Sequence, residues 1–225
     1  MLLKTIALMR EYQRGKVSFR AVNEVDLSLD EADFVCITGH SGSGKSTLLN
    51  LIAGLLSPTS GNIVFDGKEL TTAHDRELSR IRNTQIGYIP QGHSILGNFT
   101  VLDNVRLPFY LYKRDGNPTV RANELLEQVG IAHLKRQYPA ELSGGELRRI
   151  SIARALINSP RILIADEPTG DLDPQNSEAI MELFARVAKE GTAVLVVTHD
   201  VGNVRFCDKH YIMEAGKLRN AVESS

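Results

Sequence analysis

Apolar and polar positions divide the chain into strand-like pieces near its start and alternating strands and helices towards its end. Leu3 to Met9 reads as a strand and Ser18 to Leu29 as two strand pieces; Asn62 to Phe65 is another, running into an Asp66–Gly67 turn. Phe34-Val-Cys-Ile-Thr38 is a short apolar run that leads into a glycine-rich turn. From Ser46 to Leu56 the spacing turns helical, and it stops at Ser57–Pro58. The middle differs. Val101 to about Gln137 carries helical segments, including Val120 to Val129 with apolar Val120, Leu125, Leu126 and Val129, separated by a polar turn at Arg114-Asp-Gly-Asn-Pro118. A long helix follows Gly144 and runs to about Asn158; then come an apolar strand, Ile162 to Ala165, a helix from about Pro174 to Lys189, and a second apolar strand, Ala193 to Val197. Apolar strands without alternation, separated by helices, predict a parallel sheet covered on both faces. The expected fold class is α/β, with a mainly parallel sheet core and an inserted, mostly helical lobe.

Composition narrows this picture. A chain of 225 residues is one large domain, or a domain carrying an inserted lobe, and it is long enough to bury a core without staples. Its formal net charge of −1 argues against a nucleic-acid binder that works by neutralising phosphates. The cysteines, Cys36 and Cys207, are too few for a disulfide framework or a metal cluster and are expected as two reduced, packed thiols in a cytosol. No stretch approaches the roughly 18–20 apolar residues that span a bilayer. Met1 to Met9 resembles a signal peptide faintly, but Lys4 and Thr5 interrupt it, Arg10, Glu11 and Arg14 follow it, and it reads as a first strand. Any work at a membrane is therefore expected to pass through a partner.

The chemistry begins at Gly39-His40-Ser41-Gly42-Ser43-Gly44-Lys45-Ser46, which fits G-x-x-x-x-G-K-[ST] between a strand and a helix, with Thr47 next. Glycines 39, 42 and 44 let successive backbone N–H groups turn towards a triphosphate, and the positive end of the following helix points the same way. Lys45 is placed to reach the β- and γ-phosphate oxygens, and the Ser46 hydroxyl to hold Mg²⁺. Arg161-Ile-Leu-Ile-Ala-Asp166 is an apolar strand that ends in an acid suited to orienting Mg²⁺. Glu167 follows it, and successive residues leaving a strand project differently, so one acid serves the metal and its neighbour the attacking water.

Leu142-Ser143-Gly144-Gly145-Glu146 narrows the class. With the phosphate loop, Asp166–Glu167 and His199 after an apolar strand, it makes the chain resemble the ATP-binding cassette of ABC proteins over essentially its whole length. The resemblance implies a P-loop NTPase of the ABC ATPase fold. A RecA-like core with an antiparallel β subdomain would take about 1–90 and 160–225, and a helical lobe about 91–159. It implies ATP and Mg²⁺ as cofactors and ATP hydrolysis as the activity. By position, Tyr12 matches the aromatic that stacks on adenine, and Gln91 the glutamine that contacts Mg²⁺ and the attacking water. Glu167 matches the catalytic base, His199 the switch histidine at the γ-phosphate, and Asp173, in Thr169-Gly-Asp-Leu-Asp173, the acid of the loop crossing the dimer interface. Ser143, Gly144, Gly145 and Glu146 match the signature that faces a nucleotide held by a second subunit. Ser143 with Glu146 also reads as an ordinary capping box, and both roles hold together.

One phosphate loop and one signature in one chain imply a head-to-tail homodimer around two ATP molecules. Glu146 stands where glutamine is commoner in the family, and the dimer-crossing loop starts Thr-Gly-Asp where many relatives have Ser-Ala. Glu167-Pro-Thr-Gly-x-Leu-Asp173, Thr59-Ser-Gly61, Tyr12–Gln13, Pro139, Glu141 and Val196-Val-Thr-His199 resemble the lipoprotein-release and macrolide-efflux branch. That branch implies a separate transmembrane permease as partner and a peripheral place on the cytoplasmic face of a bacterial membrane. There hydrolysis drives a mechanical stroke. Gln91 to about Asn104 is the expected floor of the permease groove, with Ile95, Leu96 and Phe99 either forming an apolar docking surface or belonging to the lobe's own core. The alternative is a soluble, non-transport ABC ATPase. Those that act on ribosomes carry two cassettes in one chain, and the Lys45-to-Ser143 interval is far too short for the coiled coil of DNA-repair relatives.

Overall fold

The computed structural model describes residues 1–92, 94–112, 115–170 and 172–221; Arg114 of the expected polar turn and Asp171 of the expected dimer loop lie outside them. The strands are β1 (Leu3–Arg14), β2 (Val17–Leu29), β3 (Phe34–Thr38), β4 (Ser60–Phe65), β5 (Lys68–Glu69), β6 (Ile86–Ile89), β7 (Ile162–Asp166), β8 (Ala193–Thr198), β9 (Lys209–Glu214) and β10 (Lys217–Asn220). The α-helices are α1 (Lys45–Ile52), α2 (Asp75–Gln85), α3 (Val101–Tyr110), α4 (Thr119–Gln128), α5 (Gly144–Leu156) and α6 (Pro174–Lys189). Two sheets form, with orders β2-β1-β4-β5 and β10-β9-β3-β8-β7-β6. The first is antiparallel throughout; in the second only the β9–β10 pair is antiparallel.

The centre of the larger sheet shows why its strands are apolar without alternation. Phe34 and Cys36 of β3, Leu163 and Ala165 of β7, and Val194 and Val196 of β8 face one core, against α5, α6 and the α3–α4 region. Val35, Ile37, Ile162, Ile164, Leu195 and Val197 face a second core, against α1 and the antiparallel sheet. A strand keeps its two-residue period, and both sets are buried because both faces are covered. The helices follow local rules. Asp173 caps α6, Pro174 takes its first position, and Ile180, Met181, Phe184 and Val187 make its buried stripe. Val120, expected with the apolar face of its helix, is 69% exposed, while Leu125, Leu126 and Val129 are buried.

The expected Ser18–Leu29 pieces are one strand, with Glu24 at φ 53° and shifted register against β1. The cysteine expectation is corrected. Cys36 and Cys207 are not two reduced thiols: their Cα atoms lie 5.9 Å apart, a spacing that a disulfide spans, and their sulfurs are joined as one. Of the floor residues, Ile95 packs on the core, whereas Leu96 and Phe99 are 41% and 42% exposed. Buried Asn104 holds that loop, its amide donating to the carbonyls of Leu96, Phe99 and Thr100 and accepting from the Leu96 N–H. Among the described residues no helix is long and apolar enough to cross a membrane.

Candidate functional site

Parallel strands place their C-terminal ends on one edge of the sheet, and the candidate chemistry collects there. The β3–α1 loop, Asp166 at the end of β7, Glu167 after it, and His199 after β8 meet beside a cavity of about 850 Å³. Ser41, Gly42, Gly44, Lys45, Ser46 and Thr47 line it, together with Tyr12, Gln91, Glu167 and His199. Gly39, His40 and Ser43 complete the loop. The Lys45 ammonium, 7% exposed, donates to the carbonyls of Gly39 and His40 at 2.7 and 3.0 Å. Gly44 begins α1 at φ 108°. The far end of the chain braces this loop: the Gly216 N–H donates to the Ser43 carbonyl at 3.0 Å.

Asp166 ends β7 at 3% exposure. Burial pushes its carboxyl up, and the neighbouring Glu167 adds to this, while the Ser46 hydroxyl and the Lys45 and Arg148 cations pull it down. Its Oδ1 is buried with no hydrogen-bond partner. An orphaned carboxylate oxygen beside a serine hydroxyl is the hard-oxygen donor set that Mg²⁺ takes, so these residues fit the ion.

Glu167 sits at φ 47°, a left-handed conformation unusual for a side chain of this size, with its N–H held by the Val197 carbonyl at 2.9 Å. Its Oε2 accepts from the His199 backbone N–H at 3.2 Å and lies 2.9 Å from the ring Nδ1. A carboxylate only accepts here, so Nδ1 carries the proton and the ring is fixed by the acid. The arrangement suits an acid that orients water and a histidine held to face the same space.

At the other end of the cavity Tyr12 pairs in register with Phe19 across the β1–β2 hairpin. Their rings stack with centroids 5.7 Å apart, and the Arg10 guanidinium lies 4.8 Å from the Tyr12 centroid. The sequence reading did not single out Phe19, Arg14, Ala21 or Arg148, all of which line the cavity. The cross-strand register that brings Phe19 to Tyr12 leaves no local motif.

The signature residues lie elsewhere. Ser143 caps α5, its N–H and hydroxyl both donate to Glu146 Oε2 at 2.7 Å, and its oxygen accepts from the Glu146 N–H at 3.4 Å. The expected capping box is present, and the Ser143 bonds hold the Glu146 carboxyl below the usual carboxylate range. Ser143 and Gly144 are exposed, and none of residues 143–146 lines the cavity. Asp173 is likewise an exposed helix cap, accepting from the Asn176 N–H at 3.0 Å.

The family model described as ABC transporter matches residues 22–170. The solved dimeric structure of MJ0796, a bacterial ABC transporter cassette, is 36% identical, with a TM-score of 0.92 and 97% of each chain covered. A dimeric post-hydrolysis state of that cassette bound to ADP and Pi is 35% identical, with a TM-score of 0.91 over 97% of this chain and 98% of that one. The ADP conformation of the cassette MJ1267 is 27% identical, with a TM-score of 0.80 over 97% and 89%. The two sheets and their helices are the ABC ATPase fold. With the phosphate loop, the paired acids and the histidine on one edge of that fold, the chain belongs to the ABC transporter family as an ATP-hydrolysing cassette.

Proposed function

We propose that the chain is the ATPase subunit of a membrane ABC transporter. Two copies close head to tail on two ATP molecules and drive a separate permease from the cytoplasmic face of a bacterial membrane. The observation that carries this reading is the division of the motifs. The phosphate loop, Glu167 and His199 share a cavity, with Asp166 buried next to Glu167, while the Ser143 helix start stands exposed outside it. The first N–H groups of α5 have no partner within the helix, so they suit a phosphate brought by another copy. The dimeric state of the MJ0796 cassette supports the same arrangement.

In this reading Tyr12 stacks on the base, and Gly39 to Thr47 hold the phosphates. Ser46, Asp166 and Gln91 would hold Mg²⁺, which when bound offsets the charge on the β- and γ-phosphates. Glu167 orients or deprotonates the attacking water, and His199, held by Glu167, faces the γ-phosphate. The other copy's Ser143, Gly144, Gly145 and Glu146 close over it, with Asp173 in the loop between the copies. ATP favours the closed pair because its contacts with the second copy exist only there.

The permease contact is assigned to a groove of about 460 Å³ between α2 and β6 on one side and α3 and α5 on the other, lined by Tyr88, Pro108, Leu111, Tyr112, Arg82 and Arg154. Exposed Leu96 and Phe99, in the loop after Gln91, offer further apolar surface for the same contact. A permease of the mechanical type, serving lipoprotein release or macrolide or peptide efflux, is supported by the Glu167–Asp173 and Thr59–Gly61 runs. The test is Glu167→Gln. Hydrolysis is expected to fall by about 10²–10⁴-fold, the usual contribution of a positioned base, while ATP binding persists and dimer accumulates on a sizing column with ATP. Hydrolysis at the unsubstituted rate would overturn the base assignment. Purification from membranes without any co-eluting integral membrane protein would overturn the permease.

A further inference from the structure

One side chain ties the loop of Gln91 to the helix that starts at Ser143. Arg148, in the second turn of α5, is 2% exposed. Its Nη1 donates to the Pro90 carbonyl at 2.9 Å and reaches the Gly92 carbonyl at 3.4 Å. These are the peptide oxygens on either side of Gln91. Further along α5, Arg154 donates to the Ser94 carbonyl at 2.7 Å and to its hydroxyl at 2.6 Å. The helix therefore grips the 90–94 segment at both ends, and Gln91, which lines the nucleotide cavity as Arg148 does, lies between the carbonyls that Arg148 holds.

We infer that Arg148 is a positioning residue that makes Gln91 and the Ser143 end of α5 move as one unit. The inference rests on the cassette reading above. A buried guanidinium holds its carbonyl partners tightly, because releasing them leaves a cation away from water without hydrogen bonds. An α-helix transmits displacement along its length, and Ser143 stands five residues from Arg148 on the same helix. Engagement of Gln91 at its own nucleotide pulls on the Pro90 and Gly92 carbonyls, and Arg148 passes that pull to the helix start serving the nucleotide of the other copy. Arginine suits this because both contacts come from one Nη1, whose two N–H bonds are held in fixed directions by the planar guanidinium, whereas the lysine ammonium sits on a shorter, flexible stem.

The test is a double-mutant cycle in ATP hydrolysis by the purified full chain, using Arg148→Lys, Gln91→Ala and both together, with melting temperature and ADP affinity as controls on folding. Arg148→Lys keeps the buried charge and is expected to melt and bind ADP as the unsubstituted chain does. Its kcat is expected to fall about tenfold, the equivalent of one charge-assisted hydrogen bond, with KM little changed. The combined variant is expected to be no slower than the slower single one, because both changes interrupt one linkage. Arg148→Met provides the same cycle without the charge. Losses that multiply, to about a hundredfold together, would mean independent roles and overturn the tie; so would an Arg148→Lys kcat equal to that of the unsubstituted chain. Absence of hydrolysis by the unsubstituted chain would overturn the cassette reading and the tie with it, whereas multiplying losses in an active chain overturn the tie alone.

Discussion

Gly44→Ala isolates what the phosphate loop demands of its last glycine. Gly44 has φ 108°, and an ideal Cβ there would run into the carbonyl oxygen of Ala21, 3.2 Å from that residue's carbonyl carbon and 2.8 Å from Met213 Cε. The methionine terminus is flexible and moves aside. The Ala21 carbonyl belongs to β2 and moves only with the strand. Gly42 supplies the control: it has φ 79°, and nothing lies within 4 Å of its ideal Cβ. Both substitutions put a Cβ on left-handed backbone, at about 1–2 kcal/mol each. Only Gly44→Ala adds overpacking, about 1–3 kcal/mol. For a chain of this length each kcal/mol moves the melting temperature by about 2–4 °C, so Gly44→Ala is expected to melt roughly 2–12 °C below Gly42→Ala. Thermal unfolding by circular dichroism, without nucleotide and at matched concentration, reads the difference. Equal melting temperatures, or the lower one for Gly42→Ala, would refute the role of the Ala21 carbonyl.

Two further outcomes follow from the cavity and the sheet. The chain has no tryptophan, so Phe19→Trp introduces a single tryptophan beside Tyr12, excited selectively at wavelengths that tyrosine does not absorb. Its emission is expected to change with ATP and not with inorganic tripolyphosphate, and Phe19→Ala is expected to raise the KM for ATP about two- to twelvefold, the range of one aromatic contact; equal responses to both ligands would exclude contact with the base. His210 Nε2 lies 2.8 Å from Thr38 Oγ1, and burial holds the imidazole below its ordinary value. The unfolded chain then takes a proton that the folded chain refuses, so this contribution is present above about pH 6.5 and lost as the pH falls below it. Melting temperatures between about pH 7 and pH 5 are expected to fall less steeply in His210→Asn; an unchanged slope would assign the acid sensitivity to other groups.

The chemistry of the site was legible because it lies in contiguous runs whose spacing reflects a local backbone task. A loop must curl around phosphates, an acid must end a buried strand, and a serine must cap a helix. Both central strands and α6 were legible for a similar reason: burial on two faces or along one stripe leaves a strong pattern. Residues 66–86 gave no such pattern. Helix α2 has no buried residue, and only Leu78 and Ile81 lean on the core, so its apolar face is just two residues among polar and charged ones. β6 is four residues long and contains Gly87, whose ideal Cβ would sit 2.6 Å from the Ala155 carbonyl; a glycine needed for close packing there looks like a loop in the sequence. β9 is mostly half-buried, which blurs its alternation. Phe19 and Arg148 were missed because their meaning lies in partners across a hairpin or 58 residues away.

The bond from the Gly216 N–H to the Ser43 carbonyl has a consequence for the order in which the protein is made. The turn that braces the phosphate loop, and the β9 strand that flanks β3, are added more than 160 residues after the loop itself. At about 5–20 residues per second, roughly ten to thirty seconds separate the two on the ribosome. Through that interval the nascent chain carries the glycine-rich loop without its brace. A chain stalled before residue 209 therefore presents the glycine-rich loop without β9 beside β3 and without the Gly216 brace.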